Sequence, residues 1–134
     1  MRVLFVGSNP SVIAKTYNPF CSSTRSGKIL LGWISRACPG CSYSACNVSD
    51  NQTHANRPLT TKEIKDNLAC LYIKISHANP DKIVALGKTA EKALTLLGLP
   101  HYAMPHPSGL NRQLNDKLFV EEKIKELRAF ILSL

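Results

Sequence analysis

The residues best suited to chemistry lie in the stretch 104–115, where a lone histidine is followed by small and polar residues. His106 stands between two prolines, which restrict the backbone on both sides and so position the imidazole. Ser108 and Gly109 offer a hydroxyl and an accessible backbone, which suit contact with a phosphate group. We therefore predict a functional loop here; the alternative is a proline-rich turn that carries an incidental surface histidine.

The elements that must position this loop alternate between strand and helix. Apolar runs at 2–6 and 82–86, each followed by a glycine, predict buried parallel strands, and weaker strands are predicted at 43–48 and near Tyr102. This alternation predicts an α/β fold, a three-layer α/β/α sandwich with a central, mainly parallel four-stranded sheet. The length of 134 residues favours a single domain over 1–134.

Four helices are predicted from apolar residues at helical spacing. Ser26 is expected to cap the first helix, and Thr60 or Thr61, with Glu63 shortly after, is expected to start the second. The third helix is expected to start at Lys88, after the strand 82–86, and the last at about Asn115. The second helix is expected to continue to Asn79 and to carry one apolar face: Ile64, Leu68, Leu71, Tyr72 and Ile75. The last helix is expected to bury Leu118, Ile124, Leu127 and Ile131.

The charge balance favours a polyanionic partner. Lys and Arg number 17 against 9 Asp and Glu, and the net charge of +8 points most simply to nucleic acid. The alternative is a basic, solvated surface without a partner. The apolar runs are too short for a membrane span and Met1 leads directly into a strand, so we expect no signal peptide, no transmembrane helix and no membrane partner. Five cysteines without a secretory signal favour the cytoplasm, or the nucleus in a eukaryote, over secretion.

Parallel sheets of this kind bind ligands beyond the carboxyl ends of their strands. This rule gathers four side chains that are far apart in sequence at one predicted rim: Asn9, Phe20, Asn47 and His106. Each residue also has a purely structural interpretation: the histidine and the asparagines stabilise turns, and the phenylalanine belongs to the core.

With these four positions together, the sequence resembles the uracil-DNA glycosylase superfamily. Residues 7–10 (Gly-Ser-Asn-Pro) are similar to the Gly-x-Asn-Pro motif of its mismatch-specific and single-strand-selective branches. Residues 106–112 (His-Pro-Ser-Gly-Leu-Asn-Arg) are similar to a His-Pro-Ser loop with a leucine that enters the DNA stack. Residues 19–20 (Pro-Phe), followed by 26–30, resemble the segment that supplies the base-stacking aromatic. The remaining matches follow the order of the bacterial and archaeal iron–sulfur branch: Asn47, 56–58 (Asn-Arg-Pro), Glu63, Cys70 and 80–87.

The resemblance implies a monofunctional glycosylase of base excision repair, which hydrolyses the N-glycosidic bond of uracil or a related deaminated base. Cleavage builds negative charge on the departing base, and a donor placed there assists it. His106 is the candidate donor to uracil O2, because even a neutral imidazole provides one N–H. Asn9 is the second catalytic candidate. Its amide cannot act as a strong base, so it would orient a water and give slower chemistry than an aspartate.

The same resemblance implies a pocket for the extruded base. Phe20 is expected to stack on the base, and Asn47 offers a carbonyl and an NH₂ group that complement uracil N3–H and O4. The other predicted substrate contacts are Gly7, Ser8, Pro10 and Ser11. Ser11 stands where strict uracil enzymes carry a tyrosine that excludes the thymine methyl group, which implies looser base selectivity.

DNA is the predicted partner, and the protein is expected to act on it as a monomer. Leu110 is the candidate wedge, since an apolar side chain can fill the gap that an extruded base leaves. Further DNA contacts are predicted for Ser108, Gly109, Asn111, Arg112 and Lys88. Phosphate contacts of this kind add affinity and salt dependence without sequence choice.

The spacing of the cysteines is compatible with a metal site or a redox pair. Cys38 and Cys41, with Cys46 and Cys70, could ligate zinc, and the Cys-Pro-Gly-Cys sequence could be a redox pair. The predicted topology separates these thiols, because the first two precede a strand, Cys46 lies near its end and Cys70 lies in a helix. Relative to the iron–sulfur branch, the chain begins at the first strand, without the segment that carries two cluster cysteines, and has no cysteine between Asn47 and Cys70. We expect no metal and no cofactor.

Two other functions are consistent with these residues. A catalytically weak or inactive protein of the same fold would bind DNA or a protein partner, and substitution of His106 would leave its binding largely intact. An enzyme of free nucleosides or modified bases would need neither the Leu110 wedge nor the basic charge.

Overall fold

A computed structural model of the protein describes residues 1–9, 24–54, 57–107 and 111–133. Four strands form one sheet: β1 (Arg2–Gly7), β2 (Ser42–Asn47), β3 (Lys82–Leu86) and β4 (Tyr102–Met104). Their order in the sheet is β2-β1-β3-β4, and each neighbouring pair is parallel. The predicted parallel four-stranded sheet is confirmed.

Helices cover both faces of this sheet. They are α1 (Arg25–Ala37), α2 (Thr61–Asp66), α3 (Leu68–Ala78), α4 (Lys88–Leu96) and α5 (Lys117–Leu132), with a short 3₁₀ helix at Arg112–Asn115. Buried residues of α1 and α5 pack with Phe5 on one face, and those of α2, α3 and α4 pack with Leu4 on the other. Successive residues of a strand point to opposite faces, so β1 contributes to both cores. The predicted three-layer sandwich is confirmed.

The described parts of the chain contain no helix that combines the length and the apolar character needed to span a bilayer.

The N-caps agree with the sequence prediction at α2 but not at α1. Thr24, not Ser26, caps α1: its hydroxyl accepts the Gly27 N–H at 3.0 Å. Ser26 lies inside the first turn, whereas a capping hydroxyl must stand two or three residues before the N–H that it accepts. At α2 the predicted start is confirmed. Thr60 and Glu63 accept each other's backbone N–H groups in a capping box.

The segment predicted as one helix is two helices, α2 and α3. Asn67 separates them: its Nδ2 donates to the Glu63 carbonyl at 2.7 Å, and α3 starts at the next residue. A side-chain amide that bonds a preceding carbonyl competes with the helical hydrogen bond. Leu71 is buried, but Tyr72, predicted on the same apolar face, is 54% exposed. One residue beyond Leu71, it is turned by about 100° away from the buried stripe.

The first turn of α5 also differs from the prediction. The helix begins at Lys117 rather than near Asn115, and the carboxylate of Asp116 accepts a backbone N–H of the first turn at 3.1 Å. The predicted burial of Leu118 is wrong, since 79% of this residue is exposed while Leu127 is fully buried at 0%. The two leucines lie about two and a half turns apart, on opposite sides of the helix.

Candidate functional site

The carboxyl ends of the four strands lie side by side at one edge of the sheet. Gly7 at the end of β1 pairs with Asn47 at the end of β2, and the ends of β3 and β4 pair in the same way. Asn9 follows β1 by two residues and His106 follows β4 by two residues. The structure therefore brings Asn9, Asn47 and His106 to one rim, where parallel sheets bind ligands.

The Asn9 side chain is held between its neighbour and the loop that follows β2. Ser8 Oγ donates to Asn9 Oδ1 at 2.9 Å. Asn9 Nδ2 donates to the Asn51 carbonyl at 3.2 Å and to Thr53 Oγ1 at 3.4 Å. The same loop is bonded to the main chain of Ser8, whose carbonyl accepts the Ser49 N–H at 3.0 Å. These contacts orient the amide, with its NH₂ group towards the loop and its carbonyl towards Ser8.

Thr53 is a residue of this site that the sequence analysis missed. It is 7% exposed, and its hydroxyl donates to the Arg57 carbonyl while accepting from Asn9. Nothing in its sequence context marks it, because a threonine among Ser, Asp, Asn and Gln is an ordinary turn residue. Only the fold brings its loop against the end of β1.

An ion pair joins Arg57, shortly before α2, to Glu63 in the first turn of that helix. Arg57 Nη1 lies 2.7 Å from Glu63 Oε1, and Nη2 lies 3.2 Å from Oε2, a two-pronged contact. Glu63 Oε1 also accepts the Thr60 N–H at 2.9 Å. These bonds, that of Arg57 foremost, lower the pKa of Glu63 to about 2. The carboxylate is therefore charged at neutral pH. The pair is exposed to solvent, so its effect is to hold the loop in place rather than to add much stability.

Asn47 ends β2 in a buried position, with 5% of its surface exposed. Its carbonyl accepts from Lys74 Nζ at 3.0 Å, and the same ammonium group lies 2.9 Å from Asp50 Oδ1. Lys74, which the sequence analysis did not single out, comes from α3 and anchors the main chain at the strand end. Burial raises the pKa of the neighbouring Cys46 to about 11, so its thiol is protonated at neutral pH.

His106 packs against the backbone of Gly87, directly after β3. A β-carbon added at Gly87 would lie 3.2 Å from His106 Cβ and 3.4 Å from Cδ2. Asn111 Nδ2 donates to the His106 carbonyl at 3.0 Å, which holds the main chain of the histidine. Burial lowers the pKa of His106 below its ordinary value of 6.5. The imidazole is therefore neutral at pH 7 and carries one N–H.

Two exposed cations flank this rim. Lys88 opens α4 directly after Gly87, and Arg112 opens the 3₁₀ helix that follows the His106 loop. Exposed cations at these positions suit contact with DNA phosphates. The other predicted site residues lie outside the described part of the chain: Pro10, Ser11, Phe20, Ser108, Gly109 and Leu110.

The described cysteines do not converge. Cys41 immediately precedes β2 and Cys46 lies near its carboxyl end, while Cys70 is exposed on α3. Burial, together with the neighbouring Cys41, raises the pKa of Cys38 to about 11, so its thiol is protonated at neutral pH. Among residues 1–9, 24–54, 57–107 and 111–133, no three His, Cys, Asp or Glu side chains are grouped to hold a metal ion. The four described thiols are therefore not arranged to share a zinc ion or an iron–sulfur cluster.

Comparison with known proteins agrees with this arrangement. A family model of the uracil DNA glycosylase superfamily matches residues 1–128. No curated protein sequence matches the chain. Members of this superfamily are generally hydrolytic glycosylases that act on DNA, which supports a glycosylase-type function with DNA as the partner. The match covers nearly the whole chain, including β1 to β4 and the rim they form, so the chain belongs to the uracil DNA glycosylase superfamily.

Proposed function

We propose that the protein is a monofunctional DNA glycosylase that hydrolyses the N-glycosidic bond of uracil, or a related deaminated base, and so starts base excision repair. The family supports the reaction class. The observation that carries the proposal is a half-buried, neutral His106 on the same rim as Asn9 and Asn47. A hydrogen-bond donor and two amides are the groups that a departing uracil and an attacking water require.

His106 acts on the leaving base. As the bond between the sugar and N1 breaks, its electron pair moves onto the base and negative charge grows on O2. The N–H of His106 donates to this oxygen, where a preorganised donor lowers the barrier. Since burial disfavours the charged imidazole, the contribution is a hydrogen bond to the developing charge rather than an ion pair. Contact with Gly87 holds the histidine against the end of β3.

Asn9 acts on the water. Its NH₂ group is occupied by the Asn51 carbonyl and by Thr53. Oδ1 accepts from Ser8 Oγ and has a second lone pair, which accepts a hydrogen bond from the attacking water. An amide takes no proton at neutral pH, and the water loses its proton to solvent as it joins the sugar. A general base typically adds ~10²–10⁴-fold to a rate. We therefore expect slow turnover.

The remaining residues bind the base and the DNA. The Asn47 amide pairs with uracil N3–H and O4, and Phe20 stacks on the base. Leu110 fills the gap that the base leaves, and Lys88 and Arg112 contact phosphates. One copy of the chain suffices for this reaction, and the proposal requires no metal and no cofactor.

The test is formation of abasic sites in oligonucleotides that carry one uracil, single-stranded or paired with G or A. The wild-type protein should give uracil-dependent strand breaks after alkali. Breaks where thymine replaces uracil would show the looser base selectivity that Ser11 implies. His106→Ala should slow excision by roughly 10²–10³-fold, the usual effect of removing a donor to a developing anion. Its affinity for the same DNA should be unchanged.

The rival functions give different results. Salt-sensitive DNA binding without product on any substrate would identify a catalytically inactive binding protein. Turnover of free deoxyuridine without turnover of DNA would identify a nucleoside enzyme.

A further inference from the structure

We propose that Thr53 is a positioning residue of the reaction: it sets the orientation of the Asn9 amide, so that the carbonyl and not the NH₂ group faces the attacking water. This inference rests on the function proposed above. Thr53 lies in the loop after β2. It belongs to neither of the segments 7–10 and 106–112, which are similar to motifs of the superfamily.

The orientation of an asparagine amide is decided by its neighbours, because its two ends have nearly the same shape. Ser8 does not decide it, since a hydroxyl can donate to the carbonyl or accept from the NH₂ group. The Asn51 carbonyl, 3.2 Å from Asn9 Nδ2, can only accept. Thr53 Oγ1, 3.4 Å from the same nitrogen, is restricted in the same way, because its proton is donated to the Arg57 carbonyl. A flipped amide would lose both bonds.

The Thr53 hydroxyl is itself held in place. Thr53 is 7% exposed, so water does not readily replace its hydrogen bonds. Its acceptor, the Arg57 carbonyl, belongs to a residue whose guanidinium binds Glu63 with both nitrogens. Glu63 is in turn part of the capping box of α2. The amide orientation at the end of β1 is thereby connected to the start of a helix on the sheet's face.

The consequence lies in the chemical step. With the amide flipped, the NH₂ group would face the water, and a donor cannot orient a water whose oxygen must attack the sugar. The orientation of Asn9 should therefore affect the rate of bond cleavage and leave the affinity for DNA unchanged, because Thr53 itself does not contact DNA in this proposal.

The experiment compares Thr53→Val, which keeps the shape and removes the hydroxyl, with Thr53→Ser, which keeps the hydroxyl. Single-turnover excision of uracil by Thr53→Val should be about five- to tenfold slower, the effect of one lost hydrogen bond, with an unchanged Kd for DNA. Thr53→Ser should retain the wild-type rate. Thr95→Val is the matched control, since the Thr95 hydroxyl also bonds a backbone carbonyl but lies on the exposed side of α4.

A double-mutant cycle separates positioning from a general structural effect. In an Asn9→Ala background, Thr53→Val should cause no further loss of rate, because no amide is left to orient. Equal losses in both backgrounds, or a Thr53→Val rate equal to wild type, would overturn the proposal.

A second measurement does not depend on activity. The Asn9 side-chain NH₂ resonances, assigned by their absence in Asn9→Ala, should shift in Thr53→Val and stay in place in Thr53→Ser. Wild-type protein that releases no uracil would contradict the proposed function. Asn9 resonances that are unchanged in Thr53→Val would contradict the role of Thr53, whether or not the protein is active.

Discussion

The β-carbon of an alanine at position 87 would fall 3.2 Å from Cβ of His106, a tighter contact than β-carbons normally make. Gly87 directly follows β3, and its N–H donates to the Met104 carbonyl at 2.9 Å, so its backbone cannot easily move away. The absence of a side chain at this position therefore determines where the histidine of the rim can lie.

Gly87→Ala should slow uracil excision by about tenfold or more, because small displacements of a reacting group have large effects on rate. Its backbone angles, φ 94° and ψ 171°, lie in a region almost restricted to glycine, so a side chain there adds strain of about 1–3 kcal/mol. Single-turnover kinetics and thermal unfolding measure the two effects.

Gly98→Ala is the control for this substitution. Its φ of +70° also strains a residue with a side chain, but no heavy atom lies within 4 Å of the added β-carbon. It should lose stability and keep its activity; equal loss of activity in both variants would contradict the role of the Gly87 contact.

Excision should depend on pH through His106. Burial lowers its pKa, so the neutral imidazole persists below 6.5 and is lost only as the pH falls through the lowered value of the folded protein. The rate should be level from about pH 8 to about pH 6.5 and decrease in more acidic solution. His106→Asn should lack the acidic decrease caused by this group, and a wild-type rate that rises on acidification would contradict the assignment.

The same histidine affects stability in a defined direction. The unfolded chain binds the proton near pH 6.5, before the folded protein does. Its contribution to the free energy of unfolding should therefore be complete above that pH and decline as the pH falls through the lowered pKa. Urea unfolding of wild type and His106→Asn across this range measures the difference.

Lys88→Ala and Arg112→Ala should each weaken DNA binding and reduce the slope of log K against log salt by about one, because each removes one phosphate contact. Arg128→Ala is the control. It removes an exposed cation near the end of α5, where Ser133 lies 2.9 Å from Lys82 at the start of β3, on the opposite edge of the sheet. A salt slope reduced equally by Arg128→Ala would contradict the proposed DNA-binding edge.

Leu127→Ala should lower the free energy of unfolding by about 2–5 kcal/mol, since it leaves a cavity between α5 and the sheet. Leu118→Ala in the same helix should be nearly neutral, because 79% of Leu118 is exposed. Urea denaturation of both variants tests the face of α5 that packs inward.

The sheet was predictable because its signal is local and repeated. Apolar runs ending in Gly7 and Gly87, separated by segments of helical period, indicate buried parallel strands with helical crossovers. The placement of Asn9, Asn47 and His106 at one rim then follows from the geometry of any parallel sheet.

The elements that sequence analysis misplaced depend on competition between nearby groups. Both Thr24 and Ser26 carry a hydroxyl that can cap a helix, but α1 begins at Arg25, which makes Thr24 the N-cap and leaves Ser26 inside the first turn. At Asn67, a side-chain bond to the Glu63 carbonyl interrupts a helix whose apolar spacing continues unbroken. The spacing of apolar residues in a sequence does not reveal such single hydrogen bonds.

What the sequence determined by itself is the set of groups and the edge at which they meet: an imidazole between prolines, two amides at strand ends, and a basic chain of the uracil DNA glycosylase superfamily. Only the tertiary structure decided how those groups are held. Thr53 contacts Asn9 across 44 residues of sequence, and Gly87 faces His106 after a helix and a strand have intervened. Such contacts join residues that follow different strands. They depend on the tertiary arrangement of these segments, which the pattern of neighbouring residues does not specify.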